Sequence, residues 1–257
     1  MRRGAALVSL LILAGGAAFV VYAADYWIRS GDLGIDYRLM VAWAERFLET
    51  GQPYLPYQLA GPYVVGEHVG ADSPIMYPPT LLYLMVPFTV LPAILWWAIP
   101  LGVTGWAIWK LKPRPMVWPF LALLVAFPQT LWFVATGNPL MWFVAAASLG
   151  AYRGGWGVMV LLKPTLAPFA LLGIWRRSWW LTGALVALLS LPLLGLWVDY
   201  LDVARNTAGN VASGYNLNQW PAMMLPVIAW LGSAQSALGA DRPHRLVPIR
   251  VVREGAD

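Results

Sequence analysis

The chain has no cysteine, which excludes disulfides, thiolate metal sites and thiol nucleophiles. It has little charge: 11% of its 257 residues are Asp, Glu, Lys or Arg, against about a quarter in soluble domains. That is too little polar surface to cover a water-soluble globule. Histidine is also scarce, and His68 and His244 are far apart in sequence. No glycine-rich phosphate loop is present, and the first polar segment contains no Asp-x-Asp. Nucleotide cradles and the commonest metal sets are therefore not expected. The arginines are scattered without a basic stripe, so nucleic acid is not an expected partner.

What remains is apolar. Sixty per cent of the residues are hydrophobic, and the 16 Trp and 11 Tyr suit a chain with many membrane–water boundaries. Arg2 and Arg3 precede an apolar run from Ala5 to Ala23, the pattern of a spanning helix with a cytoplasmic N-terminus. A cleaved leader ending near "VYAAD" is the alternative. Residues 24–78 are the longest internal polar region, and this orientation puts them outside the cytoplasm. The run 79–109 would be ~46 Å as one α-helix, against a ~30 Å hydrocarbon core. Leu91-Pro92 at its middle favours two short helices and a tight turn. Further apolar runs cover 116–134, 138–152, 156–175, 179–198 and 220–232. The expectation is an all-α polytopic bundle of about eight crossings over residues 1–235, with a polar tail over 236–257. Positive charge divides evenly between the two sides of this arrangement and does not decide it.

Three places could carry chemistry. The first is "GIDYRLMVAWAERFLETGQPY", residues 34–54. On a helical wheel Leu39, Met40, Trp43 and Phe47 share one face, and Arg38, Glu45 and Glu49 the other. The spacing predicts an interfacial helix over residues 36–49. Asp36 at its start is either the N-cap or, on the apolar side of the wheel, a base aimed at a membrane-embedded substrate. The second is "SPIMYPPT", where prolines suit a helix start and Tyr77 suits an interface anchor. The third is Lys163, the one formal charge inside any expected crossing. It either snorkels to the interface or meets an anion, from a lipid phosphate or from the external loop.

Taken in order, these segments resemble the polyprenol-phosphate-dependent mannosyltransferases of glycosyltransferase family 87, within the GT-C superfamily. The resemblance rests on "DYRLMVAWAERFLETGQPY", "YPPTLLYLMVPFTVLP" and "TGNPLMWFVAAASLGAYRGGWGVMVLLKPTLAPFALLGIWRRSWW", and spans residues 5 to about 200. Gly137-Asn138 stands where that family has Gly-Gln, and Pro164 follows the lysine directly. The chain is shorter than the usual member, as a short or truncated form would be.

The resemblance implies a GT-C-like fold, Asp36 as the catalytic base, and Tyr77, Asn138 and Lys163 as substrate-binding residues. It implies a polyprenyl-phosphate sugar donor, mannose in the first place, a glycolipid or glycan acceptor, membrane lipids around the chain, and no metal or cofactor. The active site of this multi-pass cell-membrane protein would be extracytoplasmic. A phosphate leaving group needs a cation and the acceptor hydroxyl needs a base, so one lysine and one carboxylate suffice. The alternatives are a non-catalytic protein on the same scaffold and a small transporter. The latter should show several intramembrane polar groups or paired half-helices.

Overall fold

The computed structural model describes residues 2–64, 72–207 and 217–233. Glu67, His68, His244 and the tail 236–257 lie outside them. The described chain is helical, and its one β-bridge joins Pro113 to Ser233. Helix α1 spans Arg2–Arg29 and α2 spans Ile35–Thr50, followed by the short α3, Pro56–Ala60. A short apolar helix, Pro79–Thr89, holds one α-helical stretch, α4, Leu82–Met85, between 3-10 turns. Helices α5, Ile94–Leu111, α6, Trp118–Ala126, α7, Pro128–Thr136, and α8, Leu140–Arg153, come next. After a segment of short 3-10 pieces and α9, Ala167–Ala170, come α10, Arg177–Ser190, α11, Leu194–Asn206, and α12, Trp220–Leu231.

Several expected elements are present. Helix α1 runs past Ala23 to Arg29, where Asp25 and Arg29 form an exposed ion pair one turn apart. The run 79–109 breaks at residues 90–93 into Pro79–Thr89 and α5, because Pro92 disfavours helix at Leu91. Helix α2 is held between two left-handed glycines, Gly34 (φ 70°) and Gly51 (φ 73°). Its apolar face buries Met40, Trp43 and Ala44, while Arg38, Glu45 and Glu49 are exposed. Trp43 is wholly buried, so α2 is packed into the bundle and is not a loose surface helix.

The number of crossings differs from the expectation. Three helices among the described residues are long and apolar enough to span a membrane: Arg3–Arg29, Ile94–Leu111 and Arg177–Asn206. A fourth is obtained if Pro115–Ala126 and Pro128–Thr136, bent by 53°, count as one. Helices α8, with 14 residues, and α12, with 12, are short of the ~20 residues that a straight crossing takes.

The clearest departure is the run 156–175, expected as one crossing. It is a hairpin. Gly155–Leu162 descends as a 3-10 helix, Lys163 is extended at φ −129° and ψ 91°, and Pro164–Leu166 and α9 return. Pro164 forces the reversal, since the residue before proline avoids the α region. Glycine lets the limbs touch. A Cβ on Gly157 would lie 2.2 Å from the Leu172 carbonyl oxygen, and one on Gly173 would lie 2.4 Å from Gly154 Cα. Gly157→Ala should therefore cost about 1–3 kcal/mol in thermal unfolding, whereas Gly102→Ala, with nothing within 4 Å, should be tolerated. The hairpin also fixes sidedness. Single cysteines at Arg153 and Arg177, both exposed, should be labelled by an impermeant maleimide from the same side of the membrane; a crossing helix would put them on opposite sides.

Candidate functional site

The site is built around the α7–α8 junction. Helix α7 ends at Gly137 in the left-handed region, φ 72°. Its last carbonyls, which have no partner inside the helix, are taken by two indoles. Trp96 Nε1 donates to Gly137 O at 2.7 Å and Trp97 Nε1 to Val134 O at 2.7 Å. The Gly34 N–H donates to Ala135 O at 2.8 Å, which pins the start of α2 to the same helix end. Tyr37 packs between the two indoles, with ring centroids 5.7 and 5.2 Å away.

Asp36 follows in the first turn of α2. Gly34 occupies the N-cap position, and Asp36 makes no capping hydrogen bond. The N-cap reading of this residue is thus corrected: as the second residue of the helix, on the face of Met40 and Trp43, its carboxylate points into the bundle. Asp36 Oδ2 accepts from Thr136 Oγ1 at 2.6 Å and from Asn138 Nδ2 at 2.8 Å. Asn138 Oδ1 accepts the Leu140 N–H at 2.9 Å and caps the free start of α8. That bond fixes which end of the amide faces Asp36. Both donors use one carboxylate oxygen. Oδ1 has no hydrogen-bond donor among the described residues.

Tyr77 lies in the segment leading to Pro78-Pro79. Its carbonyl accepts from the fully buried Tyr54 hydroxyl at 2.8 Å, and its ring stacks on Phe143, centroids 6.4 Å apart. It is half-buried and packed against the bundle. Lys163, at the hairpin tip, donates to the Tyr77 hydroxyl at 3.0 Å and lies 5.0 Å from the ring centroid. Burial, with the Asp36 charge adding to it, pushes the Tyr77 hydroxyl above its ordinary range. It therefore accepts from Lys163 while keeping its own proton.

Asp36 is close enough to act electrostatically on both Tyr77 and Lys163. It is not in ion-pair contact with Lys163, unlike the exposed pairs Arg29–Asp25 and Arg205–Asp202. The structure thus gathers Asp36, Tyr77, Asn138 and Lys163 from four separate segments. It adds Thr136, Trp96 and Trp97, which sequence pattern did not single out. Thr136 could have been read from its place in "TGNP"; the indoles carry no comparable signal. No group of three His, Cys, Asp or Glu able to hold a metal occurs among the described residues.

Comparisons with protein-family models, with curated proteins and with solved structures find no match for this chain.

Tyr77→Phe keeps the ring stacking and removes the acceptor of Lys163. It should destabilise the fold by about 1–3 kcal/mol. In the Lys163→Met background it should cost far less, and a double-mutant cycle on thermal unfolding measures that coupling.

Proposed function

We propose that the protein is a membrane glycosyltransferase that moves a sugar, mannose in the first place, from a polyprenyl-phosphate donor to a glycolipid or glycan acceptor. One observation supports this reading above the others. A carboxylate with one free oxygen and a lysine with N–H groups to spare lie within electrostatic reach, yet each is held by neutral partners and not by the other. A structural pair would close into a salt bridge. Two charges kept apart suit a reaction that needs both.

In the proposed reaction the acceptor hydroxyl gives its proton to Asp36 Oδ1 as its oxygen attacks the anomeric carbon. The bond from that carbon to the phosphate oxygen breaks, and the phosphate leaves with the electron pair. The configuration inverts because attack and departure are on opposite faces. Lys163 compensates the charge on the leaving phosphate, and the protonated Tyr77 hydroxyl beside it can donate as well. Thr136 and Asn138 aim the carboxylate. In this reading the site faces the extracytoplasmic side of a multi-pass GT-C-like bundle in which residues 156–175 turn back as a hairpin instead of crossing.

The bent α6–α7 pair and the Lys163 hairpin favour a second reading. Discontinuous helices around a charged midpoint also occur in carriers. Uptake of a phosphorylated solute into proteoliposomes without any transfer product would select it.

Asp36→Asn decides between a base and a structural carboxylate. The amide oxygen can still accept from Thr136 and Asn138, so the variant should fold. It should lose about 10²–10⁴-fold in transfer from radiolabelled polyprenyl-phosphate-mannose. Asp32→Asn in the preceding turn should be mild, and Lys163→Met should weaken donor use. Transfer that survives Asp36→Asn at near the original rate would show that the base is another residue. If the wild-type chain itself forms no transfer product, the chain is a non-catalytic protein on this scaffold.

A further inference from the structure

The fold sorts the charge of the chain by end. Helices α5 and α8 run side by side in one direction. Trp96 meets Trp142 near their starts, ring centroids 5.4 Å apart, and Trp106 meets Tyr152 near their ends, 5.5 Å apart. The starts lie with Asp36 at the α7–α8 junction. The ends lie with the start of α10, where Ser178 Oγ donates to Arg153 O at 3.3 Å, and with the turn after α5, where the Arg114 N–H donates to Gly232 O at 2.8 Å. Helix α1 runs the same way. Trp27 in its last turn meets Trp132 of α7 at 5.9 Å, and Ser9 near its start shares a cavity wall with Trp118 at the start of α6. Helix α5, with 18 residues, is ~27 Å long, so the two ends are about one hydrocarbon thickness apart.

Every Asp and Glu among the described residues belongs to the Asp36 end: those from Asp25 to Glu49, Asp72 beside α3, and Asp199 and Asp202 on α11, which Gln52 and Gln58 tie to the end of α2 and to α3. The opposite end carries Lys110, Lys112, Arg114, Arg153, Arg176 and Arg177, with Arg3 at the start of α1. None of these seven pairs with a carboxylate among the described residues. The hairpin is the reason they gather. It returns the chain to the face it left, so Arg176 and Arg177 join Arg153, where a crossing would have parted them.

Local structure accounts for some of these charges. Lys110 and Arg153 sit in the last turns of α5 and α8, where a cation complements the helix dipole, and each lies 5.9 Å from the centroid of the Trp106 ring. Arg176 and Arg177 are the reverse case. They are the N-cap and the first residue of α10, where the dipole disfavours positive charge. The Arg176 stem lies over Gly154, whose Cβ would come 2.3 Å from Arg176 Cδ, so it packs next to Arg153 in spite of the like charge. An anion from outside the chain would compensate both effects. Trp109, Trp175 and Trp180 are exposed at this same end, as indoles are at a membrane–water boundary. An acidic protein would meet the cations and leave the indoles unused, whereas a bilayer meets both. We infer that this end is a docking surface for the headgroups of anionic phospholipids, in the leaflet on the N-terminal side, which the bias of positive charge makes the cytoplasmic one. The surface needs the membrane setting of these helices and is independent of sugar transfer.

The test is native mass spectrometry of the full chain in an uncharged detergent, with phosphatidylglycerol and phosphatidylcholine supplied together. Phosphatidylglycerol should be retained in preference, and the preference should fall as salt rises. Arg176→Gln combined with Arg177→Gln should cut it about five- to 25-fold at low salt. The same change should not lower the unfolding temperature in phosphatidylcholine, because it relieves the start of α10. Arg29→Gln and Arg205→Gln, in the exposed ion pairs of the other end, should leave the preference unchanged. If the Arg176 and Arg177 pair of changes prevents folding, Lys112→Gln with Arg114→Gln, both exposed, decides in its place. Equal retention of the two lipids overturns the inference. So does a preference that survives the loss of these cations. A preference removed by Lys163→Met also overturns it, and would put the headgroup in the site of Asp36 and Lys163.

Discussion

Gly137 is the constraint on which the site depends. Helix α7 stops there because the backbone turns to φ 72°, a region that costs any residue with a Cβ. A Cβ would also meet Trp97 Cζ2 and Tyr37 Cβ, each at 2.8 Å. The stop exposes the last carbonyls of α7, and Trp96 and Trp97 take two of them while their rings pack into the core. The stop also releases Asn138 to face two ways. Its oxygen caps α8 through Leu140 N–H, and its nitrogen reaches Asp36. One turn of backbone thus sets the end of one helix, the start of the next and the aim of the carboxylate.

Much of the chain's organisation is legible in its sequence where local chemistry decides it. The two-faced spacing of Leu39, Met40, Trp43 and Phe47 gives α2 and places Asp36 on its apolar side. The break at Leu91-Pro92 is visible for the same local reason. The span count is not legible, because hydropathy is blind to the path of a run. Residues 156–175 are as apolar as a crossing helix and fold instead as a hairpin. The signals against a helix were Pro164 directly after Lys163 and the glycines at 154, 155, 157 and 173, small enough for two limbs to touch. Trp96 and Trp97 were illegible for another reason. Their partners are carbonyls that become free only where α7 ends, some 40 residues away.

The hairpin changes what Lys163 is. In a crossing helix it would be one charge partway down a rod, free to snorkel along its stem. At the tip of a reversal it is held by the chain on both sides and leans on Tyr77. The ring of Tyr77 is fixed in turn by Phe143 stacking and by the Tyr54 hydroxyl on its carbonyl. Residue identity at 154, 157 and 173 therefore bears on the position of a cation that none of those glycines touches.

The neutrality of the partners matters most. Thr136, Asn138 and Tyr77 satisfy hydrogen bonds without adding opposite charge, so neither the carboxylate nor the ammonium is neutralised by a direct ion pair. Leaving two charges uncompensated in a poorly solvated site is expensive, and a direct bridge between them would be the cheaper arrangement. Asp36 cannot relax into that bridge, because Oδ2 is tied to α7–α8 by two donors and the start of α2 is tied there by Gly34. Lys163, at the hairpin tip, is engaged instead by the Tyr77 hydroxyl. In the proposed reaction the donor phosphate would meet a cation, and the acceptor hydroxyl a carboxylate oxygen, that no salt bridge has neutralised. In a low-dielectric setting each of those interactions is several-fold stronger than in water. Separation that weakens the resting fold is the arrangement that leaves most interaction available to a ligand.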